Sequence, residues 1–270
     1  MPPFLSDSLP CLLSLKQLWE IPLIYSNAAD ITSGSSPLTI LFSGQTMQGL
    51  SVGGSWYKLN LGQTVPCRVA YPSSNLVLIQ KALTADISVL PAIDRAGLLD
   101  DVWSLANAEV IEASDALSLS QFLVAETDAI VWGIAARKLL DISDLMAGST
   151  GLPQFQSFVL GLMAPCMSQF ANWTTVDPST HLGKLLEATL LKTAIFLGDQ
   201  TTLTKAKALF DILQANPSMI INPDILSSVY TAGAIAGDET DYDWLVQKYL
   251  ASSFATEKQT LLQALAFTQK

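Results

Sequence analysis

Few side chains in this sequence have the types and spacing that catalysis requires. The 270 residues include one histidine, His181, so no histidine pair can hold a metal ion. The three cysteines, Cys11, Cys67 and Cys166, lack the spacing of a metal site, and an odd, sparse set argues against a disulfide framework. We interpret the cysteines as buried thiols, and His181, at the start of a predicted helix, as structural.

The adjacent carboxylates Asp100 and Asp101 resemble the acidic pair that acid–base catalysis uses. Neighbouring residues on a helix point about 100° apart, so at most one of the two should face any given site. We therefore interpret the pair as a polar helix face or an ion pair. The sequence also has no G-x-S-x-G elbow for a serine nucleophile and no glycine-rich phosphate loop.

The best-defined element is a predicted helix within residues 91–106, PAIDRAGLLDDVWSLA. Its apolar residues recur at helical spacing and indicate a buried face. Asp94 is placed to cap the first turn. Gly97 costs a helix about 1 kcal/mol relative to alanine, which predicts that another group packs closely there. By themselves these residues predict a buried helix and no function.

The amino-acid sequence of this helix resembles the helical C-terminal region of zinc aminopeptidases of the aminopeptidase N and puromycin-sensitive type. In that family a DRAxLLDDxxxLA segment follows a small β-domain. Residues 56–72, WYKLNLGQTVPCRVAYP, are similar to the last strands of that β-domain, usually W-x-K-x-N-x-G-Q-x-G-Y-Y-R-V-x-Y. Val65, Pro66 and Cys67 depart from this pattern, which should weaken the local packing. Further stretches at 19–25 and between 181 and 268 follow the family in the same order.

The resemblance implies structural roles for a set of motif residues and no catalytic or metal-binding residue. Arg68 and Arg95 are expected to anchor the junction of two domains through ion pairs or hydrogen bonds. The full set comprises Trp56, Arg68, Tyr71, Asp94, Arg95, Asp100 and Asp101.

Catalysis in that family requires zinc held by H-E-x-x-H and a more distant glutamate. One histidine cannot form this site, and the family's G-x-M-E-N segment is also missing. The resemblance therefore implies the family's third domain and about two thirds of its fourth. Zinc is expected in full-length relatives and not in this chain, which should be inactive alone.

The amino-acid composition changes between residues 73 and 74, and this change predicts a multi-domain, mainly α protein. Residues 1–73 are rich in turns and predict a small, partial antiparallel β-sandwich, with strands at 20–26, 37–44 and 56–61. Residues 74–270 predict an all-α superhelical solenoid of the HEAT/armadillo type, incomplete at its C-terminal end. Pro165 should kink or split one helix. The predicted helices are 75–83, 94–107, 115–126, 129–146, 154–170, 181–197, 202–214, 224–237, 242–252 and 257–267.

The net charge and the apolar stretches of the chain limit the classes of partner that it can have. A net charge of −10 argues against nucleic acid, which requires a basic face. The continuous apolar stretch at 158–167 is shorter than the ~20 residues that cross a bilayer, and the N-terminus lacks the basic region of a secretory signal. The family includes cytosolic and membrane-anchored members, so the compartment stays open.

Three functions follow. The first is the non-catalytic C-terminal part of a metallo-aminopeptidase that removes N-terminal residues from peptides. In this case the helical domain shapes the substrate chamber and limits access, with peptides and an upstream zinc domain as partners. The alternative is a free-standing, catalytically inactive helical module that binds peptides or proteins. A third, an unrelated enzyme that uses acidic residues, has no supporting constellation.

Overall fold

The computed structural model describes residues 20–33, 38–43, 55–170 and 180–268. Cys11 and most of the N-terminal turn-rich region lie outside the described residues. None of the helices in the described ranges combines the length and apolar character needed to cross a bilayer.

Three strands form one antiparallel sheet in the described part of the chain. They are β1 (Glu20–Asn27), β2 (Leu38–Ser43) and β3 (Tyr57–Leu59), in the order β2-β1-β3. The register sets Tyr25 of β1 opposite Leu38 on one side and Leu59 on the other. A short helix, α1 (Ala28–Ser33), follows β1, and the Asn27 side chain accepts the N–H groups of its first turn.

The remaining described residues are mainly helical, and the ten predicted helices are all present. Their bounds are α2 (Ser73–Ala85), α3 (Ala92–Asn107), α4 (Ala113–Ser120), α5 (Ala129–Leu145), α6 (Leu152–Met167), α7 (His181–Phe196), α8 (Gln200–Ala215), α9 (Leu226–Ala236), α10 (Glu239–Ala251) and α11 (Ala255–Leu265). The predicted helix at 115–126 ends earlier than expected, because the chain continues as the 3-10 turn Gln121–Ala125.

One local prediction is wrong, and at Pro165 one of the two predicted alternatives is excluded. Asp94 does not cap α3, because the helix begins at Ala92 and Asp94 already lies inside its first turn, where the side chain points to a distant loop instead. Pro165 does not split its helix, because α6 continues to Met167. A proline this close to the helix end removes a single hydrogen bond from a turn that is about to stop, so the disruption stays local.

From α3 onwards the odd-numbered helices contact one another in series, α3 with α5, α5 with α7, α7 with α9, and α9 with α11, and we call these five helices the odd row. Even-numbered helices pack on this row, for example α8 against α9 and α10 against α11. Two apolar clusters result, one built around Leu98 and Trp132 and the other around Phe210 and Tyr230. Met167 packs against both clusters and links them. Residues from the last turns of α3 and α5 border one recess, and residues from the last turns of α5, α7 and α9 border another.

Candidate functional site

Most of the motif residues meet where residues 57–71 lie against helix α3. We call this contact the polar junction and define it by Lys58, Gly62, Gln63, Arg68 and Val69 on one side and Asp94, Gly97, Asp100 and Asp101 on the other. Its contacts join residues about 32 positions apart in the sequence, for example Gly62 with Asp94 and Arg68 with Asp100. The junction therefore fixes the strand-bearing segment on the first helix of the odd row.

A tight turn after β3 forms the upper part of the junction. Asn60 and Gln63 both adopt left-handed backbone conformations, with φ of 52° and 54°. The Asn60 side chain donates to the Val65 carbonyl at 2.8 Å and accepts the Val65 N–H at 3.0 Å, which closes the turn. Asparagine tolerates this conformation better than most residues because its short polar side chain bonds locally. The turn directs the Gly62 N–H to Asp94 Oδ1 at 2.8 Å.

A buried ion pair lies beneath the turn. Lys58 Nζ is 3.6 Å from Asp94 Oδ1, and the two side chains are 0% and 1% exposed. Lys58 also donates to the Leu59 carbonyl at 2.6 Å. Burial lowers the pKa of Lys58 against the attraction of Asp94, and burial raises the pKa of Asp94 against the pull of Lys58 and the Gly62 N–H. The pair therefore joins β3 to the first turn of α3 in the interior of the junction.

The predicted close contact at Gly97 is confirmed. A Cβ atom added there would lie 2.1 Å from Gln63 Nε2 and 2.3 Å from Gln63 Cδ, so the glutamine amide occupies the space that a side chain would need. Gln63 Nε2 and Asp94 Oδ2 are buried and have no hydrogen-bond partner among the residues that the structure describes. The Gln63 side chain of the turn therefore packs directly against the backbone of α3 at Gly97.

Arg68 forms the exposed part of the junction. Its Nη1 donates to Asp100 Oδ2 at 2.7 Å, to the Asp100 carbonyl at 3.0 Å and to Asp101 Oδ1 at 3.3 Å. The expectation that at most one of the two carboxylates faces a given site is wrong, because one guanidinium nitrogen lies between them. Asp101 Oδ2 also accepts the Val69 N–H at 3.2 Å.

The pKa values of the two carboxyl groups are shifted in opposite directions. For Asp100, burial favours a higher pKa, but hydrogen bonds from Lys138 and Arg68 outweigh it and hold the pKa below its usual value. Asp101 is more deeply placed, and burial raises its pKa despite the Val69 N–H and the nearby cations. Lys138 reaches Asp100 at 3.0 Å and so joins α5 to the junction.

The remaining motif residues make their contacts away from Asp94, Asp100 and Asp101. Arg95 turns away from the junction and forms a buried two-point pair with Glu126, Nε to Oε2 at 2.6 Å and Nη2 to Oε1 at 2.9 Å. The Tyr71 hydroxyl accepts the Leu59 N–H at 2.9 Å, and Trp56 lies in the first apolar cluster. Sequence reasoning did not single out Glu126 or Lys58, although Lys58 lies within the quoted strand motif.

The donor set does not fit a zinc ion. Among the residues that the structure describes, no three His, Cys, Asp or Glu side chains lie together as metal ligands. His181 is exposed at the first turn of α7. Cys67 and Cys166 are free thiols, and burial raises the pKa of Cys166 to about 11, which disfavours the thiolate.

Two recesses lie where odd-numbered helices end. The first, about 520 Å³, lies between α3 and α5 and includes Asn107 and Leu145, the last residues of those helices. The second, about 490 Å³, includes Phe196 at the end of α7 and Phe267 just beyond α11. Asp144 borders both recesses, and we call the two recesses together the helix-end groove.

Comparison with known proteins assigns the family. A family model described as the ERAP1-like C-terminal domain matches residues 56–270, which include the polar junction and every helix from α2 to α11. The chain belongs to this family. The aminopeptidase resemblance of the motifs is thereby confirmed.

Three relatives show how much of a longer protein this family domain represents. The chain is 27% identical to an aminopeptidase N of Plutella xylostella over 98% of its own length and 28% of the relative's. It is 28% identical to the glutamyl aminopeptidase of Mus musculus, over 92% of this chain and 26% of the relative. It is 30% identical to an aminopeptidase A of Gloydius brevicauda, over 78% of this chain and 22% of the relative. The chain thus spans about a quarter of the length of these relatives.

Proposed function

We propose that this chain is the non-catalytic C-terminal part of a zinc aminopeptidase that removes N-terminal residues from peptides. The observation that carries the proposal is the family match over residues 56–270, combined with relatives named aminopeptidases of which the chain spans about a quarter. Among the residues that the structure describes, no group of side chains fits zinc. The metal and the residues that activate water would therefore belong to a catalytic domain, the chain's principal partner.

The role of the helical part is to shape the substrate chamber and to limit which peptides enter it. Its architecture in this proposal is a superhelical solenoid of the HEAT/armadillo type at residues 74–270, preceded by a partial β-sandwich at residues 1–73. Serial contacts between the odd helices support the solenoid, because stacked helix pairs with a small rotation between them produce a curved surface. The helix-end groove gives that surface a place where a peptide can lie.

The polar junction has a supporting role in this function. A chamber wall restricts peptides only if its position relative to the preceding domain is fixed. The buried pair of Lys58 and Asp94, with the Gly62 N–H bonded to the same carboxylate, fixes α3 on the strand-bearing segment. Because removal of either partner would leave the other charge buried and uncompensated, the pair in this proposal holds the two units in one relative position.

An antibody against the chain provides the test. Native protein captured from its source tissue is assayed with aminoacyl fluorogenic substrates, with and without the chelator 1,10-phenanthroline, and compared with the recombinant 270-residue chain. We expect a larger native protein whose activity the chelator abolishes, and no turnover by the recombinant chain. A native protein of the recombinant size that binds peptides without cleaving them would contradict the proposal and favour a free-standing binding module.

A further inference from the structure

Five carboxylates are buried among the residues that the structure describes, and four of them are paired with a basic side chain. The pairs are Asp94 with Lys58, Asp101 with Arg68, Glu126 with Arg95 and Asp241 with Lys207. The fifth, Glu187 on α7, is only 5% exposed and forms no hydrogen bond or ion pair with any described residue. Burial without a partner disfavours the ionised carboxylate far more than the protonated acid. In the described structure, Glu187 is therefore the buried acid whose charge is not neutralised.

Glu187 lies where α7 packs against the start of α9. One turn later on the same face of α7, Leu191 belongs to the second apolar cluster together with Ile225 and Val229. Asp224, in the segment that leads into α9, is near enough for its negative charge to act on Glu187. Ionisation of Glu187 therefore adds a second negative charge beside the first, at a contact that is otherwise apolar.

No cation offsets this charge in the part of the chain that the structure describes. Four helices, α5, α6, α8 and α9, pack against α7. None of their basic side chains forms an ion pair with Glu187, and these side chains are Arg137 and Lys138 on α5 and Lys205 and Lys207 on α8. Lys184 and Lys192 on α7 itself do not pair with it either. Burial and, after it, the charge of Asp224 both raise the pKa of Glu187.

We propose that Glu187 and Asp224 make the contact between α7 and α9 sensitive to pH, so that the helices pack closely while Glu187 is protonated and separate more readily when it is ionised. The same two helices border the second recess through Phe196 and Ile235, so the shape of that recess depends on this contact. The device belongs to the helices of this chain alone and does not depend on the proposed catalytic partner.

The direction of the pH effect follows from the raised pKa of Glu187. The stability of the contact is fully present below the unfolded value of 4.5 and is lost as the pH rises through the folded pKa. Local opening of one helix is visible in hydrogen exchange, because amides exchange only when their hydrogen bonds break. The amides of α9 should therefore exchange faster at neutral pH than intrinsic chemistry alone requires.

Hydrogen exchange of the 270-residue chain at pH 5 and pH 7, corrected for intrinsic exchange rates, tests the proposal. We expect the amides of α9 to lose about tenfold in protection between pH 5 and pH 7. Glu187→Gln, which nearly preserves the size of the side chain and removes its charge, should keep at pH 7 the protection that the unmodified chain has at pH 5. Asp224→Asn should show a smaller loss. Asp243→Asn, which removes an exposed carboxylate on α10, is the matched control and should behave as the unmodified chain does.

Two outcomes of the exchange experiment would overturn the proposal. One is an equal loss of protection in the unmodified chain and in Glu187→Gln, and the other is constant protection of α9 in the unmodified chain. Carbon-13 NMR of the Glu187 carboxyl group in the unmodified chain measures its pKa directly, so the test stands even if the variant does not fold. A pKa at or below 4.5 would also overturn the proposal. None of these outcomes bears on the proposed aminopeptidase function, which the antibody capture tests separately.

Discussion

Lys58 and Asp94 form an ion pair, with 3.6 Å between Nζ and Oδ1, in which both side chains are almost completely withdrawn from solvent. The pair joins β3 to the first turn of α3, and Asp94 accepts the Gly62 N–H with the same oxygen. The fold thus places two charges at the contact between the sheet and the helices, where an apolar pair would have been cheaper to bury. Such a contact tolerates little displacement, because either ion alone would be buried without a counter-charge.

Removal of the lysine charge should strongly destabilise the chain. We expect Lys58→Met to lower the free energy of unfolding by about 3–5 kcal/mol, because Asp94 then remains buried without its cation. The double variant Lys58→Met with Asp94→Asn should recover most of this loss, since the amide oxygen can still accept the Gly62 N–H. Urea unfolding provides the measurement, and Lys81→Met on an exposed position of α2 is the matched control. A double variant no more stable than the single one would contradict this interpretation.

The two neighbouring carboxylates should give opposite responses to pH. The pKa of Asp100 is lowered in the folded chain, so its stabilisation is present above its unfolded value of 3.8 and is lost as the pH falls through the folded pKa. The pKa of Asp101 is raised, so its ionised form opposes folding above the folded pKa, and this cost disappears as the pH falls towards 3.8.

Urea midpoints of the Asp100→Asn and Asp101→Asn variants between pH 7 and pH 3 test this sign difference. On acidification, the stability advantage of the unmodified chain over Asp100→Asn should narrow. The stability of the unmodified chain relative to Asp101→Asn should instead increase. Parallel pH profiles for the two variants would show that the carboxylates share one environment, contrary to the geometry.

Gly233 in α9 should not accept a side chain. A Cβ atom there would lie 2.5 Å from Cδ2 and Cε2 of Phe210, whose ring is fully buried in the second apolar cluster. Gly233→Ala should therefore cost about 1–3 kcal/mol through overpacking. Gly161→Ala is the matched control, because Gly161 is also helical and has open space at that position, so the change should stabilise by up to about 1 kcal/mol. Thermal unfolding of both variants separates packing from helix propensity.

Gly97 offers a test of the turn against the helix. Gly97→Ala would collide with the Gln63 amide, which has to leave its buried position, and we expect a loss of about 1–2 kcal/mol. The same substitution in a Gln63→Ala background should be neutral or stabilising, because the obstructing atoms are gone and alanine favours the helix. An additive double-mutant cycle would show that the two residues do not interact.

Amphipathic spacing was sufficient to predict the helices, because each buries a continuous apolar stripe such as the one through Leu98 and Val102 in α3. Gly97 also revealed its close contact, since a glycine inside a strong helix indicates a neighbour. These features depend on residues close together in the sequence, where periodicity carries the information.

The junction and the groove could not be predicted in the same way. Asp94 has the position of a cap in the sequence, yet its partners Lys58 and Gly62 lie more than thirty positions away, as does Glu126 from Arg95. The left-handed turn at Asn60 and Gln63 serves a tertiary contact that local propensity does not specify. The helix-end groove is lined by residues from separate helices, so residues close together in the sequence carry no signal for it.

The central claim is that this chain operates as part of a longer zinc aminopeptidase, and reading the native transcript upstream of Met1 tests it most directly. The account predicts an open frame that continues into an H-E-x-x-H motif with a glutamate further along as the third zinc ligand. An in-frame stop codon close upstream of Met1, in a transcript confirmed by its protein product, would contradict the account and leave a separate helical protein without catalytic machinery.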